Sequence, residues 1–145
     1  MKIQERESIK QLEKFKEQLD KYDKEKKPFE VNRYEICPFL MKVFYRENEY
    51  NSLQLYEYGN FPMNEIHIYT WMDATLREIT NLLQGILKLD KNCVYKYSIV
   101  FYDSLGSLQR RKIGDVYLNK NTQIELKNLK DLRFYIGDYL DICII

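Results

Sequence analysis

The stretch IHIYTWMDATLREIT, from Ile66 to Thr80, decides the fold because it contains the end of a strand and the start of a helix. Its first two isoleucines, Ile66 and Ile68, alternate with His67 and Tyr69 in EIHIY (Glu65 to Tyr69), which is the period of a half-buried strand. Thr70 then stands where a helix N-cap is expected, and Asp73 three residues later resembles the acidic partner of a capping box. The stretch therefore predicts a strand that leads almost directly into a helix.

The predicted helix carries one apolar stripe. Its residues are spaced by four, three, four and three: Met72, Leu76, Ile79, Leu83 and Ile86, widened by Leu82 and Leu87. A helix with a single apolar stripe packs on one face of a sheet and leaves the other face to be covered differently.

Strand patterns flank this unit on both sides. They are PFLMKVFY (Pro38 to Tyr45), VYKYSIVFY (Val94 to Tyr102), a fourth strand near Leu108 to Ile113 after the turn DSLGS, and YLDICII (Tyr139 to Ile145). Gly114 to Arg133 stays unassigned. The order predicts an α+β fold, a ubiquitin-like β-grasp with an insertion before the last strand, because the ferredoxin-like alternative needs a second long helix.

Residues 1–35 differ in composition from residues 36–145, which form the predicted domain. Charges of both signs crowd this first segment. Apolar residues spaced by three or four indicate a helix: Ile9, Leu12, Phe15, Leu19 and Tyr22. We expect a charged arm that is a solvated helix or disordered, and the alternative is a helix that docks on a partner.

The composition excludes several classes of function. With 23 basic and 22 acidic residues, the net charge of +1 provides no global field for nucleic acid or an anionic membrane. The first residues lack the apolar stretch of a secretory signal, so a nuclear or cytosolic address is expected. Cys37, Cys93 and Cys143 form no CxxC pair, and we expect reduced, mostly buried thiols rather than a disulfide or zinc site. His67 is the only imidazole, so we expect no catalytic residue, metal or cofactor.

Several blocks together identify a family. ICPFLMKVF, EIHIYTWMDATLREIT, YSIVFYD, RRKIGD and FYIGDYLDICI follow one another in this order over residues 36–145. They closely resemble the eighteen-kilodalton Sin-three-associated polypeptide family. The resemblance implies a ubiquitin-like fold without enzymatic activity. It also implies a nuclear adaptor, in the Sin-three histone deacetylase co-repressor and in the apoptosis-and-splicing-associated complex, with RNPS-one and Acinus or Pinin as partners.

The sheet face opposite the helix is the first candidate for a partner site. If alternate residues face the helix, the remaining ones point the other way: Lys42, Phe44, Val100, Tyr102, Tyr139 and Asp141. Exposed aromatic side chains in one patch are typical of partner sites. The alternative is that the Gly114 to Arg133 insertion covers this face.

Trp71 is the second candidate for a partner site, because tryptophan is enriched among binding hot spots, although a core role fits equally.

The third candidate is the basic cluster of Arg110, Arg111 and Lys112, with Tyr102 across the predicted hairpin. Basic side chains beside an aromatic ring can hold phosphate and stack a base, which gives a direct RNA-binding module as the alternative function. The same cluster also fits an edge strand that is protected from aggregation by charge.

Overall fold

The computed structural model describes residues 2–25 and 28–145, with side chains described for 4–21 and 28–145. The chain divides into two compact units, residues 1–30 and 31–145. In the first unit, helix α1 spans Lys2–Glu25. Four of its predicted apolar residues are exposed, namely Ile9, Leu12, Phe15 and Leu19, and the side chain of Tyr22 lies outside those described. The second unit begins five residues before the predicted boundary.

The second unit contains five strands and two α-helices. In chain order they are β1 (Phe39–Glu47), α2 (Leu53–Glu57), β2 (Glu65–Thr70), α3 (Leu76–Leu87), β3 (Val94–Tyr102), β4 (Leu108–Tyr117) and β5 (Tyr139–Ile144), with a short 3₁₀-helix at Ile124–Leu126 before β5. The predicted strands are all present. Helix α2, in the polar connection between the first two strands, was missed. No helix of the described residues is long and apolar enough to cross a membrane.

The strands form one mixed sheet in the order β2-β1-β5-β3-β4. The hairpins β1–β2 and β3–β4 are antiparallel, while β5 pairs in parallel with β1 and antiparallel with β3. The last strand lies in the centre of the sheet, with two strands on either side of it and one helix packed on a sheet face. This is the arrangement of a ubiquitin-like β-grasp. The predicted α+β class is confirmed.

The main core lies between α3 and the sheet. It is built from alternate residues of the strands and from the α3 stripe, including Met41, Val43, Ile68, Leu76, Ile79, Leu83, Ile99, Leu140, Ile142 and Ile144. Each fully buried aliphatic side chain stabilises the fold by roughly 1.5–3 kcal/mol. Leu82 and Ile86 of the predicted stripe are exposed instead.

Helix α3 begins later than predicted. Thr75, not Thr70, is its N-cap, and the Thr75 hydroxyl accepts a 3.2 Å hydrogen bond from the backbone N–H of Glu78. Thr70 is still part of β2, and a turn follows in which the Ala74 N–H donates to the Trp71 carbonyl. Thr followed by Glu three residues later is the sequence pattern of a capping box. The hydrogen bond to the Thr75 hydroxyl is present, whereas the Glu78 carboxylate binds the Arg33 guanidinium.

The segment from Gly114 to Arg133 packs beside α3 and not on the opposite sheet face. Strand β4 extends to Tyr117, with a register shift opposite Tyr97 and Ser98. Leu129 and Leu132 join the main core, and the Leu129 N–H donates to the carbonyl of Ala74 at 3.0 Å. The alternative in which this segment covers the opposite face is therefore wrong.

Candidate protein-interaction site

The sheet face opposite α3 is covered by α2 and the loop after it. Phe44 and Val100 are fully buried there, in a second apolar cluster with Tyr56 of α2. The ring of Phe44 lies 5.1 Å from that of Tyr56 and 5.8 Å from that of Phe61, measured between centroids. The predicted exposure of this face is wrong for Phe44, Val100 and Asp141, because the connection between β1 and β2 folds back over it.

The other members of the predicted face lie at the margin of this cover. Lys42 is half-buried, with its ammonium 5.6 Å from the Phe61 ring, and Tyr139 is half-buried against the same cluster. Tyr102 is exposed. Each of these three side chains keeps part of its surface exposed, and a partner-binding role stays a prediction for them.

Asp141 is the centre of a buried polar network. Its carboxylate accepts hydrogen bonds from the Arg110 guanidinium at 2.6 Å and from the Asn51 side-chain amide at 2.9 Å. Arg110 also donates to the Ser98 hydroxyl at 2.8 Å and to the backbone carbonyl of Asn51. Its guanidinium lies 4.8 Å from the ring centroid of Tyr50. A buried carboxylate needs such compensation, so Arg110 has a structural role.

The three basic residues of the predicted RNA site do not form one surface. Consecutive strand residues point to opposite faces of a sheet. Arg110 joins the buried network, whereas Arg111 donates to the carbonyls of Leu132 and Arg133 at 2.9 and 3.1 Å. Lys112 is exposed, with its ammonium 5.4 Å from the Tyr50 ring. The expectation of a compact cluster is wrong, while RNA binding itself stays a prediction.

Trp71 holds the segment that enters the domain. It is half-buried, outside the main core, and its indole N–H donates to the Ile36 carbonyl at 2.8 Å. The guanidinium of Arg33 lies 4.8 Å from the Trp71 ring centroid and forms ion pairs at 2.8 Å with both Asp73 and Glu78. Trp71 therefore has a structural contact of its own, and its role as a partner anchor stays a prediction.

The charges around Arg33 shift one another's ionisation. The hydrogen bonds that the Arg33 guanidinium donates to Glu78 and then to Asp73 raise the pKa of Arg33. Partial burial opposes ionisation of Asp73, but hydrogen bonds from the Val31 N–H and from Arg33 outweigh it and lower the pKa of Asp73. The Val31 N–H to Asp73 distance is 3.0 Å. The conspicuous TWMDATL block thus anchors residues 31–36 and starts α3.

The remaining candidates for chemistry are isolated from one another. His67 is exposed on β2 and lies 2.6 Å from the carboxylate of Glu65. Cys37 is exposed, Cys93 is half-buried and Cys143 is buried, so the expectation of mostly buried thiols is wrong for Cys37. Burial raises the pKa of Cys143. In the described part of the chain, no three His, Cys, Asp or Glu residues are grouped to hold a metal ion.

One open recess has both aromatic and cationic walls. It lies between the β3–β4 turn and the segment that precedes β5, and its volume is about 450 Å³. Tyr102 is the only predicted partner residue in its wall, together with Arg111 of the predicted RNA site. Arg133, Tyr135 and Asp138 line the other side. The sequence gives no signal for these three residues, because Arg133 ends the unassigned segment and the other two lie between that segment and the last predicted strand.

Comparison with known proteins points to one family. The family model described as Sin3 associated polypeptide p18 (SAP18) matches residues 30–144. The histone deacetylase complex subunit SAP18 of Homo sapiens is 35% identical over 118 residues, which are 79% of this chain and 77% of the human protein. The protein of the same name from Arabidopsis thaliana is 34% identical over 123 residues, 81% of each chain. That from Drosophila melanogaster is 34% identical over 118 residues, 79% of each chain.

Proposed function

This chain belongs to the Sin3 associated polypeptide p18 (SAP18) family, and on that premise we propose that it is an adaptor subunit of a Sin-three histone deacetylase co-repressor. The family is one of non-catalytic complex subunits. The observation that carries the proposal is the match over residues 30–144, which includes every strand of the sheet. Such a subunit contributes to transcriptional repression by holding other proteins together.

The proposal extends to a second complex and to the nucleus. The resemblance to the family supports a place in the apoptosis-and-splicing-associated complex beside the exon junction complex, with RNPS-one and Acinus or Pinin as partners. A protein of both assemblies acts in the nucleus, and a cytoplasmic pool is compatible with this role. A fluorescent fusion of the full chain tests the address, and exclusion from the nucleus contradicts it.

Affinity purification tests the adaptor function directly. The tagged full chain is recovered from nuclear extract with and without ribonuclease, and co-purifying proteins are identified by mass spectrometry against the tag alone. We expect deacetylase and Sin-three subunits, and separately the splicing-associated proteins, in both samples. Recovery of neither group contradicts the proposal. Loss of one group on ribonuclease treatment shows that this group was linked through RNA.

Direct RNA binding is the alternative function, and the geometry favours the adaptor over it. Of the three basic residues that suggested RNA, Arg110 is engaged with the buried Asp141 and Arg111 with two backbone carbonyls. Of the three, only Lys112 is exposed, so these charges do not form one surface along which a phosphate backbone could bind. Titration of the full chain with single-stranded RNA at two salt concentrations decides, because affinity through phosphates falls steeply as salt rises.

A further inference from the structure

The recess between the two turns offers a cation that no carboxylate neutralises by contact. Arg133 is exposed, and its side chain makes no ion pair with any residue that the structure describes. Its backbone is in the left-handed region, with φ of +57°, a conformation that costs a non-glycine residue free energy. Gly would avoid this cost. The backbone conformation alone therefore does not explain why this position holds Arg.

Arg111 supplies a second, fixed positive charge behind the first. Its two hydrogen bonds to the Leu132 and Arg133 carbonyls hold the guanidinium in place, 5.7 Å from the ring centroid of Phe101. The Nε atom of Arg111 is buried without a hydrogen-bond partner. A fixed guanidinium loses little side-chain entropy when an anion approaches, so this wall of the recess is preorganised.

The two acids of the recess are already engaged with their own turns. Asp103 accepts hydrogen bonds from the backbone N–H groups of Leu105 and Ser107, both at 2.9 Å. Asp138 accepts one from the Tyr135 N–H at 3.0 Å, and its burial raises its pKa despite the nearby charge of Arg111. These carboxylates stabilise the turns, and neither forms an ion pair with Arg133.

Apolar side chains surround the opening. Tyr102 and Tyr135 in the wall are 55% and 71% exposed, and Leu105 and Ile136 in the same two turns are 90% and 67% exposed. Exposed aromatic and aliphatic groups next to arginine are the composition of a protein-binding hot spot. The recess of about 450 Å³ is large enough for one bulky side chain.

We propose that this recess binds a short acidic segment of a partner protein. An aromatic side chain of the segment enters between Tyr102 and Tyr135, and an adjacent Asp or Glu carboxylate pairs with Arg133. The inference rests on the proposed function in that an adaptor needs such a partner site. Nucleic acid fits less well, because the carboxylates of Asp103 and Asp138 repel a run of phosphates while a single carboxylate can be directed to Arg133.

Binding of defined peptides tests the inference. The probe is a fluorescein-labelled synthetic peptide in which one Trp is flanked by Asp, with Gly and Ser elsewhere, and affinity is measured by fluorescence anisotropy with the full chain. Replacing Asp by Lys in the peptide, or Trp by Ser, should each weaken binding at least about tenfold. Absence of binding by the Asp–Trp peptide, or equal binding of all three peptides, overturns the inference.

Variants of the chain make the test specific for the recess. Arg133→Glu should reverse the preference, so that the Lys–Trp peptide binds more tightly than the Asp–Trp peptide. Tyr135→Ser should weaken both. Arg133→Gly, which suits the left-handed backbone, should lose the charge preference while keeping the melting temperature. The matched controls are Lys91→Glu, an exposed charge three residues before β3, and Tyr58→Ser, an exposed tyrosine in the β1–β2 connection. A similar loss in either control overturns the inference.

Two further arms separate the possible failures. An oligouridylate of similar length replaces the peptide, and tighter binding of this RNA that is lost in Arg133→Glu overturns the peptide assignment in favour of nucleic acid. Arg133→Glu is also used in the affinity purification. If the parent chain recovers co-repressor subunits and Arg133→Glu recovers them equally, the recess inference fails while the adaptor function stands. If the parent chain recovers none but the peptide preference reverses as expected, the adaptor function fails alone.

Discussion

The carboxylate of Asp141 lies 2.6 Å from the guanidinium of Arg110, and the Asp141 side chain has no exposed surface. The pair crosses three strands, because Asp141 is on β5, Arg110 is on β4, and Ser98 of the intervening β3 accepts from Arg110 and donates to the Asp141 backbone carbonyl. Asp141, predicted to bind a protein partner, and Arg110, predicted as part of an RNA site, thus belong to one buried network.

Breaking this pair should destabilise the domain strongly. Arg110→Leu leaves an uncompensated buried carboxylate, so we expect the free energy of unfolding to fall by about 3–5 kcal/mol. The double variant Arg110→Leu, Asp141→Leu removes both charges and should recover a large part of that loss. The measurement is urea denaturation followed by circular dichroism, with Lys112→Leu on the same strand as control, expected within about 0.5 kcal/mol of the parent. A loss below about 1 kcal/mol in Arg110→Leu contradicts a buried role for the pair.

Removing Arg33 should release residues 31–36 from the domain. Arg33→Ala loses two ion pairs and the contact with Trp71, and we expect a loss of about 1–2 kcal/mol in the free energy of unfolding. Trp71 is the single tryptophan, so its emission should shift to longer wavelength as the bond to Ile36 opens to water. Arg46→Ala is the control, since it loses only an exposed pair with Glu49; an unchanged spectrum in Arg33→Ala contradicts the contact.

Stability should depend on pH through Asp73. Its pKa is lower in the folded chain than its usual value, so its contribution is complete above the unfolded pKa of about 3.9 and is lost as pH falls through the folded pKa. The difference in free energy of unfolding between the parent and Asp73→Asn should therefore shrink between about pH 5 and pH 2. Urea denaturation at several pH values measures it. When both proteins also carry Arg33→Gln, the difference in free energy of unfolding should depend less on pH. An unaltered pH dependence in that background argues that the Arg33 contact does not lower the pKa of Asp73.

Replacing Gly114 and Gly85 by Ala should change the free energy of unfolding in opposite directions. A Cβ on Gly114 would lie 2.6 Å from Cγ1 of Ile124, and the φ of +150° is rarely adopted by other residues. Gly114→Ala should thus lower the free energy of unfolding by about 1–3 kcal/mol. Gly85, exposed in α3, has nothing within 4 Å of such a Cβ, so Gly85→Ala should raise it by about 0.5–1 kcal/mol. Equal effects of the two changes contradict the close approach of Ile124 to β4.

The strands and the core were predictable because their signal is local. Alternation over VYKYSIVFY gave β3 with both of its ends correct, and the helix-facing residues of β1 and β5 followed from the same period. The N-cap of α3 is predicted five residues too early, although Thr75 and Glu78 also have the spacing of a helix N-terminus and Thr75 is the N-cap observed. The pattern at Thr70 is misleading because it follows the strand directly.

The candidate site was less predictable because it depends on contacts between distant residues. Nothing near Phe44 indicates that Tyr56, in a helix of only five residues, covers it. The pairing of Arg110 with Asp141 joins positions 31 residues apart. The recess at Arg133 is formed by two turns. The sequence of a turn predicts its backbone conformation, but it does not predict which cavity the side chains of two turns form together.

The position of β5 in the middle of the sheet has a consequence for synthesis on the ribosome. The hairpins β1–β2 and β3–β4 make no strand pairing with each other, and in the described sheet both pair with residues 139–144. While these residues are still inside the exit tunnel, each hairpin has an unpaired edge that is open to other nascent chains. The sheet can therefore be completed only after the last strand has been translated, and until then these two edges are sites of possible aggregation.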